Sequence, residues 1–265
     1  MTVPPGQDRV VPRTAMVLAA GLGTRLRPLT DTRPKPLIEV AERTLLDRTI
    51  DRLADAGVTR FVINLHHLAD QLASHVQRRA AADPRLDFFL SDEREELLDT
   101  GGGIARALPL LRDPLFFAVN ADMIWLDASG NSLRALAGRW AEGAPAGAPD
   151  MQALLLLHPT VSARGYAGVG DFTMTGEGRL ARRGERDIAP FLYTGVQILH
   201  AGLFAGCAPG RFSLNRLYDA AIERGSLFGL RHEGLWVDAG HPDGLATARR
   251  LLSRLERQGS HSAAA

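Results

Sequence analysis

Near its start the chain runs through Ala15–Ala20, small or apolar throughout, and then breaks at Gly21 and Gly23. An apolar run without polar alternation suits a strand buried on both faces, and glycines directly after it suit a loop at the strand's end. Such a strand needs a helical layer on each side. This one feature therefore points to an α/β fold with a parallel sheet at its centre.

The following residues keep up the alternation. Leu45, Leu46, Ile50 and Leu53 recur at helical spacing, Gly57 follows as a stop, and Arg60–Asn64 is a β-rich run. A helix over about Leu68–Ala80, a strand at Leu86–Leu90, a helix after Gly103 and a strand at Leu115–Asn120 come next. Past Asn131 the pattern loosens into a helix to Ala141, a Gly/Ala/Pro connector over 143–149 and the apolar run Met151–Leu157. Short alternating pieces, a strand at Phe191–Leu199, a helix near Leu214–Arg224 and a strand near Leu227–Arg231 make this half mixed. Leu235–Asp238 is a last short strand, and Pro242 opens a helix to about Leu255.

The chain has 265 residues, 45% of them hydrophobic, enough to bury a sizeable core. We read residues 14–256 as one domain, its nucleotide-binding part over about 14–125 and its sugar-binding part over about 126–256. Residues 1–13 read as a flexible arm and 257–265, without apolar periodicity, as a disordered tail. Thirty-one Lys and Arg against 30 Asp and Glu give a net charge of +1, which argues against a nucleic-acid or membrane surface. Cys207 is the only cysteine, so no intrachain disulfide can form, and a reducing cytoplasmic setting fits. The N-terminus lacks the apolar core of a signal peptide.

The most informative stretch is Leu18-Ala19-Ala20-Gly21-Leu-Gly23-Thr24-Arg25-Leu-Arg-Pro28-Leu-Thr30, followed by Arg33-Pro34-Lys35-Pro36-Leu37. Small residues let a backbone approach a nucleotide closely, and loop amides can point at phosphate oxygens. Arg25 and Lys35 add two positive charges, suited to an α-phosphate that gains negative charge during attack. Leu26 stands where the dinucleotide pattern G-x-G-x-x-G needs glycine, and the G-x-x-x-x-G-K-[ST] loop also fails after Gly21.

Taken together, this run resembles the signature of the sugar-1-phosphate nucleotidyltransferases, with Leu-Ala-Ala-Gly-x-Gly-Thr-Arg, Pro-Leu-Thr and Pro-Lys-Pro-Leu present in order. The resemblance extends from about Thr14 to Leu252. It implies a Rossmann-like three-layer sandwich with a mixed, mostly parallel central sheet. It also implies a nucleotide held by Leu18, Ala19, Ala20, Gly21, Gly23 and Thr24, with Arg25 and Lys35 on the phosphates as the catalytic cations.

Two acids stand at the ends of apolar strands, Asp122 after Leu115–Asn120 and Asp238 before Ala239-Gly240. That edge is where ligands sit in open α/β sheets, although each could equally be a turn or capping Asp. In the family, aspartates after such strands bind the catalytic metal. The resemblance thus implies Mg²⁺ on Asp122 and Asp238, with Ala121 standing where many relatives have glycine.

Within the superfamily, Asp99–Ile104, Val119–Asp122, Gly168–Phe172, Thr194–Val196 and Leu235–Gly240 resemble the N-acetylmuramate-1-phosphate uridylyltransferases of cell-wall recycling. This implies UTP and N-acetylmuramate 1-phosphate as substrates, Gly101 and Gly102 against the base, and Asn120, Asp171, Thr194 and Gly195 against the sugar. Gly101–Gly103 could also be a simple turn before a helix at Ile104, and Asp171 a surface acid. Guanylyltransferases of mannose or heptose phosphates share the first signature, and a non-catalytic nucleotide-sugar sensor could share the fold. The eight histidines read as structural, since His66-His67 lacks a matching cluster and His232-Glu233 is not followed by a second His. The sequence leaves the oligomeric state open.

Overall fold

A computed structural model of the chain describes residues 11–262 except Arg186, with side chains up to residue 257. Of the expected flexible arm, residues 1–10 lie outside the described part. Val11 already packs against the core, and the Arg13 carbonyl accepts the amides of Thr59 and Arg60 at 2.9 and 3.0 Å.

The first strand, β1 (Thr14–Leu18), leads through the glycine loop to a one-turn α1 (Leu29–Thr32), the small hairpin β2 (Glu39–Val40) and β3 (Arg43–Thr44), then α2 (Leu45–Ala56). Thr44 caps α2 by accepting the Asp47 amide at 3.0 Å, and Gly57 closes it at φ +115°. Next come β4 (Arg60–Leu65), α3 (Ala69–Ala82), β5 (Asp87–Asp92), α4 (Asp99–Leu111), β6 (Leu115–Asn120) and β7 (Met123–Leu126). The second half holds α5 (Ser132–Ala141), β8 (Ala153–Pro159), β9 (Phe172–Met174), β10 (Leu180–Arg182), β11 (Phe191–His200), α6 (Asn215–Glu223), β12 (Leu227–Arg231), β13 (Leu235–Asp238) and α7 (Pro242–Ser262).

The central sheet runs β10-β9-β11-β6-β1-β4-β5, and β8 joins it through β11 and carries β12. β6, β1, β4 and β5 are parallel, while β11 pairs antiparallel with both β6 and β8. Alternation along β1 sorts its side chains. Ala15 and Val17 enter a core with Leu46, Ile50, Leu72 and Leu136 from α2, α3 and α5, whereas Met16 faces Ile104, Ala107, Leu217 and Ala221 from α4 and α6. The result is a three-layer sandwich. A third core under α7 gathers Leu245, Ala248 and Leu252 with Leu26, Ile124 and Val237.

Two expectations are corrected. Gly101–Gly103 are not a turn before a helix at Ile104 but the first turn of α4 itself, which starts at Asp99. α7 continues to Ser262, so residues 257–262 of the expected disordered tail are helical. Extending an established helix costs little per residue, and no proline interrupts this stretch. Among the described residues no helix is long and apolar enough to cross a membrane.

Candidate active site

Beyond the carboxyl ends of β1, β4 and β6 lies a cleft of about 350 Å³, bordered by Leu18, Ala19, Ala20 and Gly21 and by Lys35, Asn120 and Asp122. The glycine loop is fixed by groups that the sequence did not advertise. The Ala19 amide donates to Asn64 Oδ1 at 2.7 Å, and Asn64 Nδ2 donates to Glu93 Oε1 at 2.7 Å. Glu93 Oε2 accepts the Leu98 amide at 3.1 Å, which ties the loop to the start of α4. Asn64 and Glu93 are only 3% and 1% exposed, so each polar atom in this chain matters. A Cβ at Gly103 would sit 2.7 Å from Glu93 Oε1, which explains the third glycine of that run better than a turn does.

Gly23 sits at φ +64°, its carbonyl accepts the Thr30 hydroxyl at 2.9 Å, and a Cβ there would come within 2.8 Å of the Thr30 methyl. This glycine is required by both conformation and space. Thr24–Leu26 then form a single 3-10 turn that leaves the Arg25 side chain 62% exposed, its Nη1 3.9 Å from Asp238 Oδ2.

Lys35 is buried and ion-paired with Asp122. Asp238 reaches the same place by a separate route. β13 pairs antiparallel with β7, with Asp238 opposite Met123, so this two-stranded ribbon sets the two distant acids next to each other. Asp238 Oδ1 accepts the Gly240 amide at 2.7 Å, and its Oδ2 lies 3.7 Å from His241 Nε2. The clearest sign of convergence is Gly240. A Cβ there would lie 2.5 Å from Asp238 Oδ1, 2.9 Å from Lys35 Nζ and 3.0 Å from Arg25 Nη2. One small cradle is thus bounded by a carboxylate and two cations, with Asp122 on Lys35.

Among the described residues no group of three or more His, Cys, Asp or Glu side chains is placed to hold a metal. Two hard carboxylates beside a phosphate-sized cleft nevertheless suit Mg²⁺, which takes one or two carboxylates and completes its shell with substrate phosphates and water. The two carboxylates are donors of the kind such an ion takes, whereas the two cations that bound the Gly240 cradle suit a phosphate oxygen.

The residues expected at the sugar divide. Asn120 lines the cleft, and Gly195, at φ +84° beside the β11 bulge, leaves room for it, since a Cβ there would lie 3.1 Å from Asn120 Nδ2. Asp171 Oδ2 accepts the Tyr193 amide at 2.8 Å, and the neighbouring Tyr166 hydroxyl accepts the Gly170 amide at 3.2 Å. Burial, reinforced by the charges of Asp171 and Asp238, raises the Tyr166 pKa and keeps its phenol protonated. Thr194 is a correction. It is fully buried, its hydroxyl donates to the Leu156 carbonyl at 2.7 Å, and its carbonyl accepts the Trp236 indole N–H, so it braces β11 and offers no hydroxyl to a sugar. Gly101 and Gly102 are a second correction. Both amides donate to the Phe212 carbonyl at 3.0 Å, and a side chain at either would collide with Phe212 or Gly210, so these glycines admit a neighbouring loop rather than a base edge.

The comparisons agree with this architecture. The nucleotidyl transferase family model matches residues 14–144. The chain is 39% identical to the N-acetylmuramate alpha-1-phosphate uridylyltransferase of Caulobacter vibrioides, over 91% of this chain and 98% of that protein. It is 33% identical to the Neisseria meningitidis serogroup B protein of the same name, over 89% and 97%. A UDP-glucose pyrophosphorylase structure shares the fold with a TM-score of 0.71 at 14% identity, covering 91% of this chain and 98% of that one. Matched along nearly its whole length at such identity, the chain belongs to the nucleotidyl transferase family, as one of its sugar-1-phosphate nucleotidyltransferases.

Proposed function

We propose that the protein joins N-acetylmuramate α-1-phosphate to UTP, releasing pyrophosphate and forming UDP-N-acetylmuramate, in the cytoplasm and in the service of peptidoglycan recycling. The observation that carries the reaction type is the convergence of Arg25, Lys35 and Asp238 on the Gly240 cradle, with Asp122 paired to Lys35. The choice of sugar and base is supported by the two relatives of that name.

In this reading an oxygen of the sugar phosphate attacks the α-phosphorus of UTP, the bond from that phosphorus to the bridging oxygen breaks, and pyrophosphate leaves with the electron pair. Ala19–Gly21 admit the nucleotide at close range, on a loop held rigid by Asn64. Lys35, oriented by Asp122, offers its ammonium to the charge that develops on the α-phosphate. Arg25, exposed at the rim, meets the leaving pyrophosphate. Asp122 and Asp238 would hold Mg²⁺, which supplies charge neutralisation between two anionic reactants. Asn120 donates to the acceptor at the edge of β6.

Pyrophosphate release measured over a matrix of nucleoside triphosphates and sugar 1-phosphates tests this. UTP with N-acetylmuramate 1-phosphate is expected to be the best pair. GTP with mannose or heptose phosphate as the best pair would replace the substrate assignment, and tight nucleotide binding without release by any pair would make the protein a sensor.

A further inference from the structure

The cleft has a cation that the reaction above leaves unused. Arg211 lines it beside Asp99 and Thr100, is exposed, and has neither an ion pair nor a side-chain hydrogen bond among the described residues. Most unpaired arginines on a loop are simply solvated. This loop, however, is built against the cleft wall. Phe212 accepts the amides of both Gly101 and Gly102, its own amide donates to the Leu98 carbonyl at 3.1 Å, and its ring would block any side chain at Gly101. Gly210, at φ +121°, presses its carbonyl where Gly102 has no Cβ. The glycines at the start of α4 thus clamp the residues on either side of Arg211 and hold that residue at the cleft.

Its position relative to Lys35 gives it meaning. The turn that carries Lys35 packs through Leu37 into the core under α2, α3 and α5, whereas Phe212 packs into the opposite core with α4 and α6. Lys35 and Arg211 therefore enter one cleft from opposite helical layers. In the proposed reaction Lys35 and Arg25, which meet at the Gly240 cradle, serve the phosphates of the nucleotide. A second, separate cation calls for a second, separate anion. N-acetylmuramate 1-phosphate has one, since its lactyl ether carries a carboxylate remote from the phosphate, and a guanidinium fork matches a carboxylate with two parallel hydrogen bonds.

We infer that Arg211 is a specificity-determining residue that binds the carboxylate of the acceptor sugar across the cleft from Lys35. The inference rests on the acceptor assigned above. The test compares wild type, Arg211→Ala and Arg211→Lys in pyrophosphate release with UTP, using N-acetylmuramate 1-phosphate and N-acetylglucosamine 1-phosphate, the same sugar without the lactyl group. Arg211→Ala is expected to raise KM for the first acceptor on the order of tenfold to a hundredfold, the range lost with a charge-assisted hydrogen bond. KM for UTP and the kinetics with the second acceptor stay as in wild type, and Arg211→Lys recovers part of the loss. An unchanged KM for N-acetylmuramate 1-phosphate overturns the inference while leaving the proposed reaction standing. A rise in KM for UTP with both acceptors also overturns it, placing the arginine on the nucleotide. Wild type without turnover of N-acetylmuramate 1-phosphate defeats the acceptor assignment itself, and Arg211's role with it.

Discussion

Asn64 holds Ala19: its buried side-chain oxygen accepts the Ala19 amide at 2.7 Å, where β1 gives way to the glycine loop. The opposite side of the same amide group is spent on Glu93. Replacing Asn64 with Leu leaves a buried amide and a buried carboxylate short of a partner at once. We expect a loss of about 1–3 kcal/mol for each group left unsatisfied, read from denaturant unfolding, together with a raised KM for the nucleotide. Unaltered stability and KM would show that the loop is held by other means.

Gly240→Ala tests the cradle. The added methyl would fall 2.5 Å from Asp238 Oδ1 and 2.9 Å from Lys35 Nζ, so carboxylate and ammonium must part. Misplacement of about 1 Å at a reacting centre costs on the order of a hundredfold in rate. The expected outcome is a fall in kcat of that order with near-normal thermal stability, and full activity would mean that the cradle is not the reacting centre.

The charged groups should separate in their effects. Lys35→Ala is expected to lower kcat about 10²–10³-fold, as is loss of a preorganised transition-state donor elsewhere, and Arg25→Ala to do the same. Asp122→Asn and Asp238→Asn should weaken Mg²⁺ binding and so raise the Mg²⁺ concentration for half-maximal release, and chelation of divalent ions should stop release until Mg²⁺ is restored. Activity indifferent to a chelator would remove the metal from the scheme.

Acid should loosen the wall behind the ribbon. Burial lowers the pKa of both His158 and His232, whose rings lie 5.8 Å apart, with His158 also stacked on Trp236. A histidine with a folded-state pKa below its unfolded value of about 6.5 leaves stability intact above that value. As pH drops below it, the unfolded chain takes protons first, and stability falls until the lowered folded pKa is passed. Thermal midpoints measured from pH 7.5 down to 5.5 should therefore decline, and His158→Gln should flatten the decline. An identical slope in the variant would acquit His158.

Much of this was legible in the sequence, for local reasons. β1, the glycine loop, Lys35 and the strand ends at Asp122 and Asp238 are marked by contiguous residue patterns, and the helix stop at Gly57 by a single residue type. What was not legible depends on partners far along the chain. Asn64 and Glu93 are ordinary polar residues until folding places them under Ala19. Gly101 and Gly102 look like ligand-facing glycines, and only the arrival of Phe212 shows that the close approach is to another loop. Thr194 looks like a sugar ligand in the sequence for the same reason, because the carbonyl it serves belongs to Leu156 on a different strand.

The β7–β13 ribbon sets a rule for how this chain can change length. Side chains alternate along a strand, so a one-residue slip of β13 against β7 would turn Asp238 to the far side and strand Asp122 without its counterpart. The connector at 143–149, which carries no such register, can lengthen or shorten freely. Insertions and deletions among functional homologues should accumulate in the connector and be absent between Met123 and Leu126 and between Leu235 and Gly240, a pattern fixed by the pairing of two four-residue strands.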